Sequence, residues 1–277
     1  VIVTYPDFSS QAERLAQYRR SHDGLTVKVV TPQQIYNEFS SGAQDPTAIR
    51  DYMKLIYDKS GGNNPKYLLL VGRPSYDYRG RVTGTKNYVP NYQSNSLINE
   101  TDFRSNDDYF GLLDENEGAD CIGMVDVSIG RFPVNSLAQT KIAIDKTLRY
   151  SAESNLITDV NSSLVSNLAD WRNVFTFVAD DQNGTTHINT ADLSAKLVAN
   201  SNKNINFDKI YCDAYQQVSY SGGQRYPDVN DAINNRMQRG SLVFSYVGHG
   251  GANGWAVERI LEISDLNSEP GTGRMIS

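Results

Sequence analysis

The segment from Ser241 to Trp255, SLVFSYVGHGGANGW, restricts the fold more than any other part of the chain. Leu242 to Val247 is an apolar run, interrupted only by Ser245 and rich in β-branched and aromatic residues, and a Gly-His-Gly-Gly turn stops it abruptly. Such a run without polar alternation predicts a strand buried on both faces, as in parallel sheets covered by helices on either side. The glycines at 248, 250 and 251 are expected to adopt positive φ and let the backbone approach a ligand closely. His249 adds a group that titrates near neutral pH. Reactive groups in open α/β sheets collect beyond the carboxyl ends of the strands, so this turn is a candidate site. From these residues alone, a surface turn with an incidental histidine would read the same way.

Taken in order, the rest of the chain repeats the strand and helix alternation. Val1 to Thr4 reads as a strand, Ser9 or Ser10 as the cap of a helix ended by Gly24, and Leu25 to Val30 as a second strand. Pro32 opens a short helix, and Asp45-Pro46 cap and start another that runs to about Lys59, ahead of the strand Tyr67 to Gly72. The stretch from Arg73 to Ser105 is too long and polar for an ordinary connection. Asp107 to Leu112 and Ile122 to Arg131 flank an acidic turn and are expected to form an antiparallel hairpin, followed by a helix from Ser136 to about Tyr150. A boundary is expected within Ser151 to Asp170, dividing an N-terminal α/β subdomain (1–155) from a second one (170–277). In the second, Val174 to Ala179 and Phe207 to Tyr211 read as strands, Asn189 to Ala199 as a helix, and Asp228 as the cap of a helix through Met237. The expected class is α/β, with parallel sheets and right-handed crossovers.

Composition narrows the function classes. The net charge of −6, with no basic cluster, argues against nucleic acid as a partner. No apolar run reaches the roughly 20 residues of a transmembrane helix. Val1 begins directly in a strand-like segment rather than a signal peptide, so an excised portion of something longer is expected. Cys121 and Cys212 lack CxxC spacing and have no histidine cluster beside them in the sequence, so no zinc site is expected. His22 follows Arg19-Arg20 at a helix end, where a cation offsets the dipole.

At strand ends the second half places Asp180-Asp181, the turn from Tyr211 to Asp213, and His249. A carboxylate bonded to one ring nitrogen fixes the imidazole tautomer and raises the basicity of the other nitrogen, the arrangement of a Cys-His catalyst. The same Asp-Asp pair would also suit a turn ahead of Asn183-Gly184.

Four segments carry a family resemblance, in the family's order and over nearly the whole chain: SNDDYFG (105–111), SIGRFPV (128–134), VADDQNGTTHINTAD (178–192) and SYVGHGGANGWAVERIL (245–261). They resemble the gingipain family of cysteine peptidases (C25). Within it, GHGGANGWAVER is closer to the branch that serves as a sortase in type IX secretion than to the secreted endopeptidases. The resemblance implies a caspase-like α/β/α sandwich of two subdomains with chemistry in the second. His249 would be the catalytic imidazole, the Gly250 N–H part of the oxyanion hole, and Asp180 or Asp181 the supporting acid, with Asp181 preferred because it directly precedes the polar loop. Trp255 and Gly251 would border the substrate. The branch implies a protein or peptide substrate, secretion-system partners at the outer membrane, and a cell-surface or secreted location. It needs no cofactor for catalysis. A structural calcium fits the family, with the acidic turn at 114–117 or Asp107-Asp108 as oxygen donors.

One departure outweighs these matches. The family's nucleophilic cysteine follows the histidine by a few tens of residues, and neither Cys121 nor Cys212 matches it. The nucleophile is therefore expected beyond residue 277. The alternatives are a secreted gingipain-like endopeptidase and a non-catalytic caspase-like binding module.

Overall fold

The structure is a computed structural model that describes residues 1–93, 105–118, 121–151, 156–158, 164–166, 169–251 and 253–268. The chain divides into two compact units, Val1–Leu148 and Arg149–Ser277. The sequence boundary sought between Ser151 and Asp170 falls largely outside the described residues, as does the end of the Arg73 to Ser105 excursion.

The first unit contains β1 (Ile2–Thr4), α1 (Ser9–His22), β2 (Val29–Val30), α2 (Pro32–Phe39), α3 (Pro46–Asp58), β3 (Tyr67–Val71), β4 (Tyr92–Gln93), β5 (Ser105–Asn106), β6 (Ser128–Phe132) and α4 (Leu137–Tyr150), whose last turn passes into the second unit. Its sheet is parallel, in the order β2-β1-β3-β6. Alternate residues of β1 and β3 serve opposite cores. Val3, Leu68 and Leu70 join Ile35, Ile49 and Met53 on one face, while Ile2 and Val71 join Ala12, Leu15 and Ile144 on the other. Burial on both faces is why these strands read as continuous apolar runs. Local signals agree with the helices: Thr31 and Gln34 form a reciprocal capping box ahead of Pro32, and Asp45 accepts from the Thr47 N–H ahead of Pro46.

Three expectations change here. α1 is not capped by Ser9 or Ser10, because a 3-10 turn at Pro6–Phe8 leads directly into it. The second strand shrinks to Val29–Val30, as the Arg20 guanidinium takes the Val27 carbonyl instead. The hairpin between Asp107 and Arg131 does not form. Asp108–Gly111 is a 3-10 turn, and β6 lies parallel to β3. The reason is Arg131, whose side chain is 9% exposed. It makes two 2.7 Å bonds to the Asp107 carboxylate and donates to the carbonyls of Gly72, Val89 and Pro90. That network ties β6 to β3 and to the loop after it, and it uses both oxygens of Asp107, one of the two groups considered as calcium donors.

The second unit contains hairpin strands β7 (Leu156–Thr158) and β8 (Leu164–Ser166), then β9 (Val174–Ala179), α5 (Thr186–Ser201) and β10 (Asn206–Tyr211). The hairpin β11 (Val218–Tyr220) and β12 (Gly223–Arg225) follows, then α6 (Pro227–Arg239) and β13 (Val243–Val247). A small antiparallel patch, β14 (Gly250–Gly251), β15 (Gly254–Trp255) and β16 (Leu261–Glu262), leads into α7 (Ile263–Ser268). The main sheet is parallel, in the order β10-β9-β13. Val178 and Ile210 pack with Val229 and Ile233 of α6 and with Ile260, each of these aliphatic side chains worth about 1.5–3 kcal/mol when fully buried. The cap expected at Asp228 belongs to Tyr226, because Pro227 takes the first helical position and puts Asp228 inside the first turn. Ser241, fully buried, holds the entry to β13 through its hydroxyl, which meets Thr176 Oγ1 at 2.9 Å and the Val174 carbonyl at 2.9 Å.

Candidate active site

The register of β9 against β13 pairs Ala179 with Val247, and the Asp180 N–H donates to the Val247 carbonyl. Asp180 therefore lies level with Gly248, one residue before His249. The consequence is steric: a Cβ on Gly248 would overlap the Asp180 Cβ and the Tyr246 hydroxyl. Gly248, Gly250 and Gly251 do not occupy the left-handed region, contrary to expectation. Close approach, not positive φ, is what requires glycine at 248. The glycine with φ 156° is Gly254, where a Cβ would strike the Leu261 carbonyl across the β14-β15-β16 patch.

Asp180 is fully buried and His249 is 44% exposed, so the acid lies beneath an imidazole that faces outward. Asp180 Oδ2 lies 3.1 Å from His249 Nδ1 and accepts the His249 backbone N–H at 3.0 Å, while Oδ1 accepts the Gln182 N–H at 2.8 Å. Burial alone would raise the Asp180 pKa, but the Gln182 and His249 N–H groups and the imidazole outweigh it and hold the carboxyl below its ordinary 3.8. An ionised Asp180 accepting from Nδ1–H leaves the Nε2 lone pair pointing outward. There it meets the Asn183 side-chain amide at 3.2 Å, Asn183 reaching it from a backbone φ of 60°. His187, near the start of α5, sets its ring edge-on to that of His249 with centroids 4.9 Å apart.

Asp181, the acid preferred from sequence, is not the partner. Its Oδ2 accepts the Tyr226 hydroxyl at 2.6 Å. Strand alternation explains the exchange: Asp180 continues the β9 ladder toward β13, and the next residue turns the other way. The signal was present in Gly248, which leaves room for an acid level with it. Asn183, His187 and Glu258 were not singled out from sequence, because only the folded loops bring them near His249 or Asp181. Glu258 is 6% exposed, and the Gln217 amide reaches its Oε1 at 3.4 Å.

The other expected residues flank the imidazole. The Ala256 N–H donates to the His249 carbonyl, so in the antiparallel ladder the adjoining Gly250–Trp255 pair is of the non-hydrogen-bonded kind. The Gly250 N–H accordingly points away from β15, as a donor to an outside oxygen must. Trp255 stacks on Tyr246 with centroids 4.4 Å apart and planes 3° from parallel, and the Tyr246 hydroxyl donates to the His249 carbonyl at 2.6 Å. Gly250, Gly251, Trp255, Leu261, Ile263 and Leu266 are among the residues lining an open depression of 460 Å3. Cys212 is buried, and its thiol pKa is pushed up to about 12, first by desolvation and then by Asp181, Asp180 and Glu258. Cys121 belongs to the other unit, and neither cysteine is in a disulfide.

An imidazole with one nitrogen held by a buried carboxylate, at the carboxyl edge of a parallel sheet and beside an outward N–H, makes this an α/β protein equipped for general-base chemistry. The chain belongs to peptidase family C25, whose model matches residues 1–274. It shares the fold of the Arg-specific cysteine proteinase gingipain R (RGPB), with a TM-score of 0.67 and 19% identity over 99% of this chain and 52% of that one. It is also similar to dimeric latent PorU from Porphyromonas gingivalis, with 36% identity and a TM-score of 0.46 over 54% of this chain and 15% of that one. The chain thus spans about half the length of gingipain R and a smaller share of PorU. No curated protein matches. No helix among the described residues is long and apolar enough to cross a membrane.

Proposed function

We propose that this chain carries the base half of a cysteine peptidase active site that works as a sortase-like transpeptidase in type IX secretion. The observation that carries the peptidase reading is the Asp180–His249 pair with Nε2 turned outward, in a chain of family C25. A cysteine outside residues 1–277 supplies the nucleophile, since burial and three nearby carboxylates keep Cys212 protonated. His249 takes the thiol proton, and the thiolate attacks a peptide carbonyl while the Gly250 N–H steadies the oxyanion. The C–N bond breaks as His249 returns the proton to the leaving amine. A second amine then attacks the thioester, His249 accepts its proton, and the thiol is released. Asp180 holds the tautomer throughout, and Trp255 and Gly251 form a wall for the substrate.

The transfer step, the sorting-domain substrate and the cell-surface location rest on the likeness of residues 245–261 to the sortase branch. The test is to incubate the full-length protein with a peptide bearing a cargo sorting sequence and an excess of an amine. Mass spectrometry should find the acyl-amine adduct in preference to the free acid, with both absent in His249→Ala. Free acid alone would point to a gingipain-like endopeptidase, and no turnover to a binding module.

A further inference from the structure

The sequence held no zinc spacing, yet the fold assembles a donor set around the candidate base. One ligand atom each from Asp180, His187 and His249 lies within 4.8 Å of the other two. These residues come from the end of β9, the first turn of α5 and the turn after β13, so no local motif reveals them. Two further observations support this set. His187 Nε2 is buried and has no hydrogen-bond partner among the described residues, an uncommon state for a ring nitrogen that can accept or donate. Asp180 Oδ2 and His249 Nδ1 are already 3.1 Å apart, close to the roughly 3.4 Å that separates two ligands of a tetrahedral zinc with bonds of about 2.0–2.1 Å. Rotation of the partly exposed His187 side chain about its χ angles is the adjustment that closes the third corner.

We propose that Asp180, His187 and His249 form a binding site for zinc or a similar borderline divalent ion, and that occupancy switches the base off. Two imidazoles and a carboxylate suit zinc, whereas magnesium and calcium prefer all-oxygen shells. The ion replaces the proton between His249 Nδ1 and Asp180, takes His187 Nε2 as its third ligand, and completes its shell with water on the exposed side. An imidazole metallated at one nitrogen keeps its proton on the other, so Nε2 then has no lone pair to accept a proton from a thiol. The inhibitory consequence rests on the peptidase reading given above. The binding itself does not.

The experiment titrates the full-length protein with ZnCl2, with MgCl2 as control, and follows binding by competition with a chromophoric chelator and by the visible absorption of substituted Co2+. His187→Ala and His187→Gln are carried in parallel, the second preserving most of the side-chain volume. The expected result is one zinc per chain, no response to magnesium, and at least a tenfold loss of zinc affinity in both variants. Peptidase activity should fall with zinc occupancy, return with chelator, and become at least tenfold less zinc-sensitive in both variants. Zinc affinity unchanged in the His187 variants, as for an ion held by thiols, would overturn the site, as would no binding at all. Binding without inhibition would overturn the switch. A protein that binds zinc through His187 but never cleaves or transfers a peptide would sink the peptidase reading and leave the metal site standing.

Discussion

Two adjacent aspartates here do different work, and one residue of register separates them. Asp180 lies level with Gly248 and supports His249, while Asp181 faces Tyr226. Asp180→Asn should therefore lower kcat/KM by roughly 10²- to 10⁴-fold, because the amide presents the wrong polarity to Nδ1–H. Asp181→Asn, which still offers an oxygen to Tyr226, should stay within about tenfold of wild type. Equal losses in steady-state assays of the two variants would remove the distinction. The same pair has a pH signature. Since the folded-state pKa of Asp180 is depressed, ionised Asp180 favours the folded state. That contribution is complete above the unfolded value of about 3.9 and is lost as pH falls through the folded value. Denaturation of wild type and Asp180→Asn should show a stability difference that narrows as pH drops below about 4. A difference that widens would contradict the assignment.

At the scale of elements, glycines and one arginine fix the frame. Gly248 directly follows β13, and an added methyl there meets the Cβ of Asp180, the residue that directly follows β9. Gly248→Ala should cost about 1–3 kcal/mol and also slow active-site labelling, because relieving the overlap separates Asp180 from His249. Unchanged stability and labelling would show that the close approach is not real. In the first unit, Arg131→Met should cost about 3 kcal/mol or more, leaving Asp107 and three carbonyls without their donor. A shift below about 0.5 kcal/mol in denaturant unfolding would rule out that network as the tie between β3 and β6. These two elements also mark where sequence reading worked. Tyr67 to Val71 was legible because Leu68, Leu70 and Val71 are buried in cores on opposite faces of the sheet. Leu242 to Val247 was legible as a strand from its apolar run, but the burial expected on both faces is not there: β13 is the outer strand of β10-β9-β13 among the described residues and is only partly buried along its length. Asp107 to Arg131 was not legible, because a strand held by a buried arginine to a carboxylate 24 positions away carries no local periodicity.

At the scale of the whole molecule, the fold and the family were legible from four ordered segments, while the arrangement of the site was only half legible. His249 and its glycine turn stand next to one another in the chain. Its partners Asp180 and Asn183, and its neighbour His187, are brought there by parallel register and a helix start, which no spacing in the sequence encodes. Cys212, in the same unit as His249, is buried, and its thiol pKa is pushed up to about 12. The central claim is that His249, supported by Asp180, activates a cysteine outside residues 1–277. Its most direct test is to label the full-length protein with a peptidyl electrophile and locate the modified residue by mass spectrometry. The account predicts one labelled cysteine outside residues 1–277, with labelling abolished by His249→Ala and strongly slowed by Asp180→Asn but not by Asp181→Asn. Labelling at Cys212 or Cys121, or labelling that survives His249→Ala, would contradict it.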